Sequence, residues 1–258
     1  MKIPVALSIA GSDPSGGAGI QADLKTFHQR GAYGMAAITL LTVQNTRSVS
    51  AVDVISPEMV EAQIRELLED IPPDAAKTGA LGNEKIVMML ARLARDFTFP
   101  LVVDPVMISK HGHALLNEPA RRAVSESLLP QACLVTPNLH EAACLSGIPV
   151  HDIESMERAA EKIISLGARG ALIKGGHLQG DAVDLLRLEN ETILLSSPRV
   201  ETRHTHGTGC TYSACITAEL AKGNSIKDAA AAAKDYITRA IATAPGLGRG
   251  SGPVNHFT

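Results

Sequence analysis

Tryptophan is absent from the 258 residues, and aromatic residues make up only 3% of them. That leaves no material for the aromatic platforms on which single-stranded nucleic-acid binders stack bases. No sign of charge dominates either: 24 basic residues stand against 27 acidic ones, a formal net charge of −3. Neither nucleic acid nor an anionic membrane surface is therefore implied as a partner. No run of 18 apolar residues occurs that could span a bilayer. The apolar stretch near the N-terminus, VALSIA at 5–10, gives way at once to an acidic, glycine-rich loop. It is too short for the core and cleavage site of a secretory signal. Cys133, Cys144, Cys210 and Cys215 include no C-x-x-C pair and no zinc-finger spacing to a histidine. These absences lead to the expectation of a cytoplasmic protein with reduced thiols.

What remains is ordinary globular material, 45% hydrophobic and 20% charged, with 22 glycines and 14 prolines to make tight turns. There is no linker, charge block or fixed-period repeat, so residues 1–258 are expected to form one domain. Short apolar runs alternate with segments of helical period. Strands are expected at Val5–Ala10, Ala36–Thr42, Ala75–Ala76, Pro100–Val103, Leu134–Thr136 and Ala171–Lys174. Helices are expected at Ile20–Gln29, Glu58–Leu68, Glu84–Arg95, Pro119–Ser127, His140–Leu145, Ser155–Leu166, Cys210–Ala221 and Ile226–Ala242. Val183–Leu188 and Thr192–Leu195 flank Glu189-Asn190-Glu191 as a hairpin. The alternation implies an α/β protein whose mainly parallel sheet is covered by helices on both faces.

In open α/β sheets ligands bind at the carboxyl ends of the strands, so the loops there carry the functional information. The first, GSDPSGGAG at 11–19, places four glycines in nine residues between a strand and a helix. Its tail, GAGIQA at 17–22, fits a loose dinucleotide fingerprint, but no acidic residue ends the second strand, which runs into TVQN at 42–45. Close backbone approach to some other ligand, or a tight turn, explains the glycines. Gln44 can donate and accept at once, which suits a heteroaromatic ring; its position equally suits a solvated loop residue. Asp104 ends an apolar strand at DPVM. Asn138 and Glu141, three apart after another strand, read either as oxygen ligands for Mg²⁺ or as a helix cap with its capping-box partner. Lys174 precedes two glycines, placing a cation beside flexible backbone, as a phosphate contact or a solvated turn residue.

The most specific segment is THGTGCT at 205–211, which opens a long helix of small residues. Gly207, Thr208, Gly209 and Cys210 would present backbone N–H groups at a helix N-terminus, where the dipole favours an anion. It is not a Walker loop, since no G-x-x-x-x-G-K-[ST] occurs. A thiol on such a loop is expected below its free value of about 8.5, which would make Cys210 a base or nucleophile. Cys215, Cys133 and Cys144 read as structural.

Taken together, AGSDPSGGAGIQADLKT (10–26), TVQNT (42–46), DPVM (104–107), TPNLHE (136–141), KGGHL (174–178) and THGTGCT (205–211) resemble the hydroxymethylpyrimidine/phosphomethylpyrimidine kinases of thiamine synthesis. These belong to the ribokinase-like superfamily. The resemblance implies a three-layer α/β/α ribokinase-like fold with a central mostly parallel sheet, usually dimeric, using ATP and Mg²⁺. It implies that Gln44 hydrogen-bonds the pyrimidine while Gly11 and Asp23 line its pocket. It places Asp104 and Glu141 in the metal and phosphate network, Lys174 and Thr205 at the nucleotide, and residues 207–210 as the anion hole. Cys210 stands where sugar kinases of the superfamily carry a catalytic aspartate. Three features depart from the family pattern: KTGAL at 77–81 replaces an expected K-I-G-M-L, His111 and His113 occupy a loop that often reads K-S-G-D, and His204 replaces an asparagine. Ala80 in place of methionine implies a roomier pocket. The expected reaction is phosphorylation of the hydroxymethylpyrimidine and then of its monophosphate. A pyridoxal kinase, or an idle pyrimidine- or vitamin-B6-binding protein, is the alternative. Val106–Leu115 is a candidate lid.

Overall fold

The computed structural model describes residues 2–107, 116–176, 178 and 180–258. His111, His113, His177 and the centre of the candidate lid lie outside the described residues. A nine-stranded sheet runs through the described chain in the order β3-β2-β1-β4-β5-β6-β7-β8-β9. Its strands are β1 (Val5–Ser12), β2 (Tyr33–Gln44), β3 (Val49–Val54), β4 (Ala75–Thr78), β5 (Leu101–Val103), β6 (Leu134–Val135), β7 (Gly170–Ile173), β8 (Ala182–Leu188) and β9 (Thr192–Ser197). Pairing is parallel from β2 through β1, β4, β5 and β6 to β7, and antiparallel for β2–β3, β7–β8 and β8–β9.

Strand alternation divides the core into two layers. Leu7, Ile9, Leu101, Val103, Val135, Ala171 and Ile173 face one side. There they pack against α2 (Pro57–Asp70), α3 (Glu84–Ala94), α4 (Glu118–Ala123), α5 (Leu139–Ser146) and α6 (Ile153–Ser165). The intervening residues Ala6, Val102, Leu134 and Leu172 face the other side, covered by α1 (Gly19–Gln29), α7 (Thr208–Ala221) and α8 (Ile226–Ala242). Burial on both faces explains why the parallel strands read as unbroken apolar runs. The three layers expected from the sequence are present.

The elements agree with the sequence pattern with two instructive exceptions. β3 was not expected, because VSAVDV pairs only with β2 at the sheet edge and stays partly exposed, so no apolar run marks it. The helix expected over Pro119–Ser127 is regular only to Ala123; a π-helical turn at Val124–Leu128 and a 3₁₀ turn at Leu129–Gln131 follow it. Among the described residues no helix is long and apolar enough to cross a membrane.

Candidate active site

The parallel strands all end on one side of the sheet, and a cavity of about 860 Å³ opens there. That is the size of a small-molecule site. Residues from the ends of β1, β2, β4, β5, β6 and β7 line it, together with the segment leading into α7. Gly11, Gln44, Asp104, Glu141, Lys174, Thr205, Gly207, Thr208, Gly209 and Cys210 all border this one space. Ala80 lines it as well, with no longer side chain to narrow it.

Asp23 is the exception and corrects the expectation. It is fully buried, as is Lys77, whose Nζ lies 2.8 Å from both Asp23 oxygens. The Ser8 hydroxyl donates to Asp23 Oδ2 at 2.6 Å. Asp23 sits one turn into α1, on the face turned toward β1 and β4, so it braces the sheet behind the cavity. Burial works most strongly against the Lys77 ammonium, but Asp23, Cys210 and Asp104 together outweigh it and hold Lys77 above its ordinary value.

One end of the cavity is built from charge. The Lys174 ammonium reaches Asp104 Oδ1 at 3.1 Å, and Asp104 also accepts from the hydroxyls of Thr136 and Ser213. Burial again opposes the Lys174 charge, while Asp104 and Glu141 raise its pKa overall. A Cβ built on Gly209 would stand 3.3 Å from Lys174 Nζ, so the bare backbone of the α7 N-terminus and the ammonium face the same point. Gly207 makes that approach possible. It opens α7 at φ +80°, and a side chain there would strike the Gly17 carbonyl oxygen at 1.7 Å. The first three N–H groups of a helix have no intrahelical partner. Among the α-helices of the described residues only α1 and α7 lack a side-chain cap, and both start at this cavity, as does the capped α5. The Thr208 N–H turns back to the Thr205 carbonyl and the Gly19 N–H to the Cys210 sulfur, which leaves the N–H groups of Gly209 and Cys210 and the α7 dipole as the part that suits an anion.

Asn138 and Glu141 form the capping box of α5: Asn138 Oδ1 accepts from the Glu141 N–H, and Glu141 Oε2 from the Asn138 N–H, both at 2.9 Å. Asn138 is thereby committed to the cap. Burial pushes the Glu141 carboxyl up to about 7, with Lys174 pulling it down and Asp104 adding to the rise. Among the described residues no cluster of three or more histidine, cysteine or carboxylate side chains could cage a metal. Two carboxylates beside an anion site instead fit Mg²⁺, which keeps waters and binds largely through substrate phosphates.

Cys210 departs from expectation. Burial pushes its thiol up to about 12; Lys77 draws it down, Asp23 and Asp104 push it further up, and the Gly19 N–H donates to the sulfur. The helix N-terminus predicted the opposite direction, because that reading took the sulfur to be solvated. Cys210 is a thiol at neutral pH.

The other end of the cavity is a hydrogen-bonding array that sequence reasoning missed. Gln44 Nε2 lies 3.1 Å from His206 Nε2, which in turn lies 2.7 Å from Asp13 Oδ2. Gly11 closes this end through steric need: a Cβ there would stand 2.5 Å from Leu40 Cδ1. Asp13 was visible as the acidic member of a glycine loop and His206 as the centre of the THGTG segment. Nothing local indicated that they meet across 193 residues.

With this geometry in place, comparison with known proteins is decisive. The phosphomethylpyrimidine kinase family model matches residues 13–255. The chain belongs to the phosphomethylpyrimidine kinase family. It is 49% identical over 253 residues to the hydroxymethylpyrimidine/phosphomethylpyrimidine kinase of Streptomyces coelicolor, covering 98% of this chain and 94% of the relative. Its fold is ribokinase-like. The phosphomethylpyrimidine kinase structure from Clostridium difficile superposes with a TM-score of 0.82 at 44% identity, covering 93% of this chain and 100% of the other. Pyridoxal kinase from Staphylococcus aureus, in complex with AMP-PCP and pyridoxal, gives a TM-score of 0.92 at 38% identity, covering 100% and 94%. Kinases named for either substrate thus share this architecture.

Proposed function

We propose that this family member, acting as a single domain, uses ATP to phosphorylate 4-amino-5-hydroxymethyl-2-methylpyrimidine and then its monophosphate, yielding the diphosphate used in thiamine synthesis. One observation carries the reading: the Lys174 ammonium and the open N-terminus of α7 converge on one point of a cavity whose far end is set with hydrogen-bonding groups. Such a site would suit a phosphoryl group at one end and a polar ring at the other.

In phosphoryl transfer, positioning and charge stabilisation supply most of the catalysis. The N–H groups of Gly209 and Cys210 would hold the equatorial oxygens of the transferring group, and Lys174 would neutralise charge accumulating there. Asp104 keeps Lys174 aimed at that point through its 3.1 Å contact. Thr205 and Thr208 line the same cavity and would border the nucleotide. Asp104 and Glu141 would hold Mg²⁺ through water and phosphate oxygens, and the ion would supply charge neutralisation between the phosphates. The thiolate form of Cys210, a small minority at neutral pH, would take the hydroxymethyl proton in the first step. The second acceptor, a phosphate monoester whose second pKa is about 6, is already largely ionised and needs no base.

Phosphorylation of pyridoxal is the second reading. Ala80 supports it by leaving the ring end of the cavity roomy, as does the likeness to a pyridoxal-bound kinase. The test is ADP release with Mg-ATP and each acceptor in turn, the products identified by mass. Diphosphate from the pyrimidine substrates is the expected result. Turnover of pyridoxal alone would move the function to vitamin B6 salvage, and no turnover with any acceptor would favour an idle binding protein.

A further inference from the structure

We infer that Asp13 and His206 are positioning residues that lock the Gln44 amide with its oxygen toward His206 and its NH₂ toward the substrate. The ring end of the cavity then selects a ring nitrogen that accepts a hydrogen bond, rather than an exocyclic amine that donates one. This deepens the proposed function and rests on its assignment of this end of the cavity to a heteroaromatic ring.

The inference starts from Asp13. Its Oδ1 accepts from the Ser15 N–H at 2.9 Å and the Ser15 hydroxyl at 2.7 Å. Its Oδ2 accepts from the Gly17 and Ala18 N–H groups at 3.2 and 2.9 Å. Burial raises the Asp13 pKa, but His206 and Ser15 together bring it below the ordinary carboxylate range. The group is therefore an ionised carboxylate, able only to accept. His206 Nε2 stands 2.7 Å from Oδ2 and must supply the hydrogen for that contact, so Nε2 carries the proton.

This fixes what Gln44 can do. A protonated Nε2 has no lone pair to offer, and an amide NH₂ has no lone pair either. Two donors do not face each other at 3.1 Å beside a buried His206. Oxygen and nitrogen of an amide are told apart only by their partners. Turning the Gln44 amide end over puts its oxygen against Nε2–H, shared with Asp13, and sends NH₂ to the opposite side. Gln44 has no other side-chain hydrogen bond among the described residues, and it lines the cavity. Its free N–H is thus the group that meets the ring. The backbone reinforces the arrangement: the His206 N–H donates to the Gly252 carbonyl at 3.0 Å, and the Val254 N–H to the His206 carbonyl at 3.2 Å. The backbone that carries the imidazole is held from both sides, and the 2.7 Å contact with Asp13 orients the ring.

The deciding measurement is the nitrogen-15 spectrum of the imidazoles in the uniformly labelled, ligand-free protein, with His206 assigned by its loss in His206→Gln. A proton on Nε2 is expected. An unprotonated Nε2, accepting from the Gln44 NH₂, would overturn the inference. The spectrum is taken without substrate, so it is read independently of which acceptor the enzyme phosphorylates. A kinetic measurement then probes positioning on whichever ring substrate is turned over. His206→Leu should raise the KM for that substrate about tenfold, the size of one lost hydrogen bond, with kcat and the KM for ATP changed less than threefold. His206→Gln, whose amide can still donate to Asp13, should recover most of the loss. A substrate analogue with the ring nitrogen replaced by CH should lose the same factor in the wild type and nothing more in His206→Leu. An unchanged KM in His206→Leu, or equal losses for the analogue in both proteins, would count against the inference.

Discussion

Two lysine–aspartate pairs lie within the same wall of this protein and do opposite work. Lys77 lies inside β4 and meets Asp23 at 2.8 Å with both side chains 0% exposed. Lys174 follows β7 and meets Asp104 at 3.1 Å, with the lysine side chain 14% exposed and the aspartate 2%. In each case burial disfavours the ammonium and carboxylates outweigh it. The chemistry is the same, and a small difference in access separates a brace from a site. The sealed pair has satisfied itself with Ser8 and has no surface to offer a ligand. The open pair presents one cation to the cavity, and Asp104 aims it without cancelling it, because its other oxygen is taken by Ser213. A charge becomes functional here where its partner leaves one side of it uncovered.

The largest effect should come from breaking the sealed pair. Lys77→Met leaves the Asp23 carboxylate buried without a counter-charge, which typically costs about 3–5 kcal/mol. Urea or thermal unfolding should show that loss, while the folded fraction keeps a near-normal KM for ATP. Asp23→Asn should behave alike, since it strands the ammonium. A large kinetic defect with unchanged stability in either variant would mean that Asp23 reaches the substrate after all.

Breaking the open pair should invert the pattern. Lys174→Met removes a cation from the phosphate end, and the loss of one such group costs on the order of 10²–10³-fold in kcat. The melting temperature should move little, because Asp104 keeps the hydroxyls of Thr136 and Ser213 and a solvated cavity beside it. Unfolding and steady-state rates measured on the same preparation decide the comparison. Equal kinetic penalties for the two lysines would erase the distinction.

Access is also what the sequence conveyed least. Periodicity marked α8 to its boundaries, Ile226–Ala242, because Ser225 caps it and a run of alanines carries it. It marked the parallel strands because both their faces are buried. It passed over β3, whose partly exposed residues pair on one side only. Cavity-lining residues were legible where they sit in the strand-end loops themselves, as with Gln44, Asp104, Lys174 and residues 205–210. Asp23 was misread because it travels with the glycine loop in the same motif, yet the first turn of α1 carries it round to the sheet. The Asp13–His206 contact was invisible because its partners are brought together only by the closed fold. The direction of the Cys210 pKa was missed for a related reason: a helix N-terminus is a local feature, while desolvation depends on everything packed around it.

Cys210 lies between the two pairs, subject to Lys77 and Lys174 on one account and to Asp23 and Asp104 on the other. It therefore offers the finest test of the comparison. With its thiol pushed up to about 12, the thiolate is a small minority at neutral pH, and its population rises tenfold for each pH unit below that value. If the thiolate takes the hydroxymethyl proton, kcat for the first phosphorylation should climb about tenfold per unit between pH 7 and 9, about 1.4 kcal/mol per unit. The second phosphorylation, whose acceptor is already ionised, should be nearly flat over the same range. Cys210→Ala should abolish the slope of the first step and leave the second step the less affected. Lys77→Met removes the cation that most lowers the thiol, so it should reduce the first-step rate further at a given pH in the protein that remains folded. A first step that is flat with pH in the wild type, or a Cys210→Ala variant slowed equally in both steps, would assign the sulfur to shaping the anion site rather than to moving the proton.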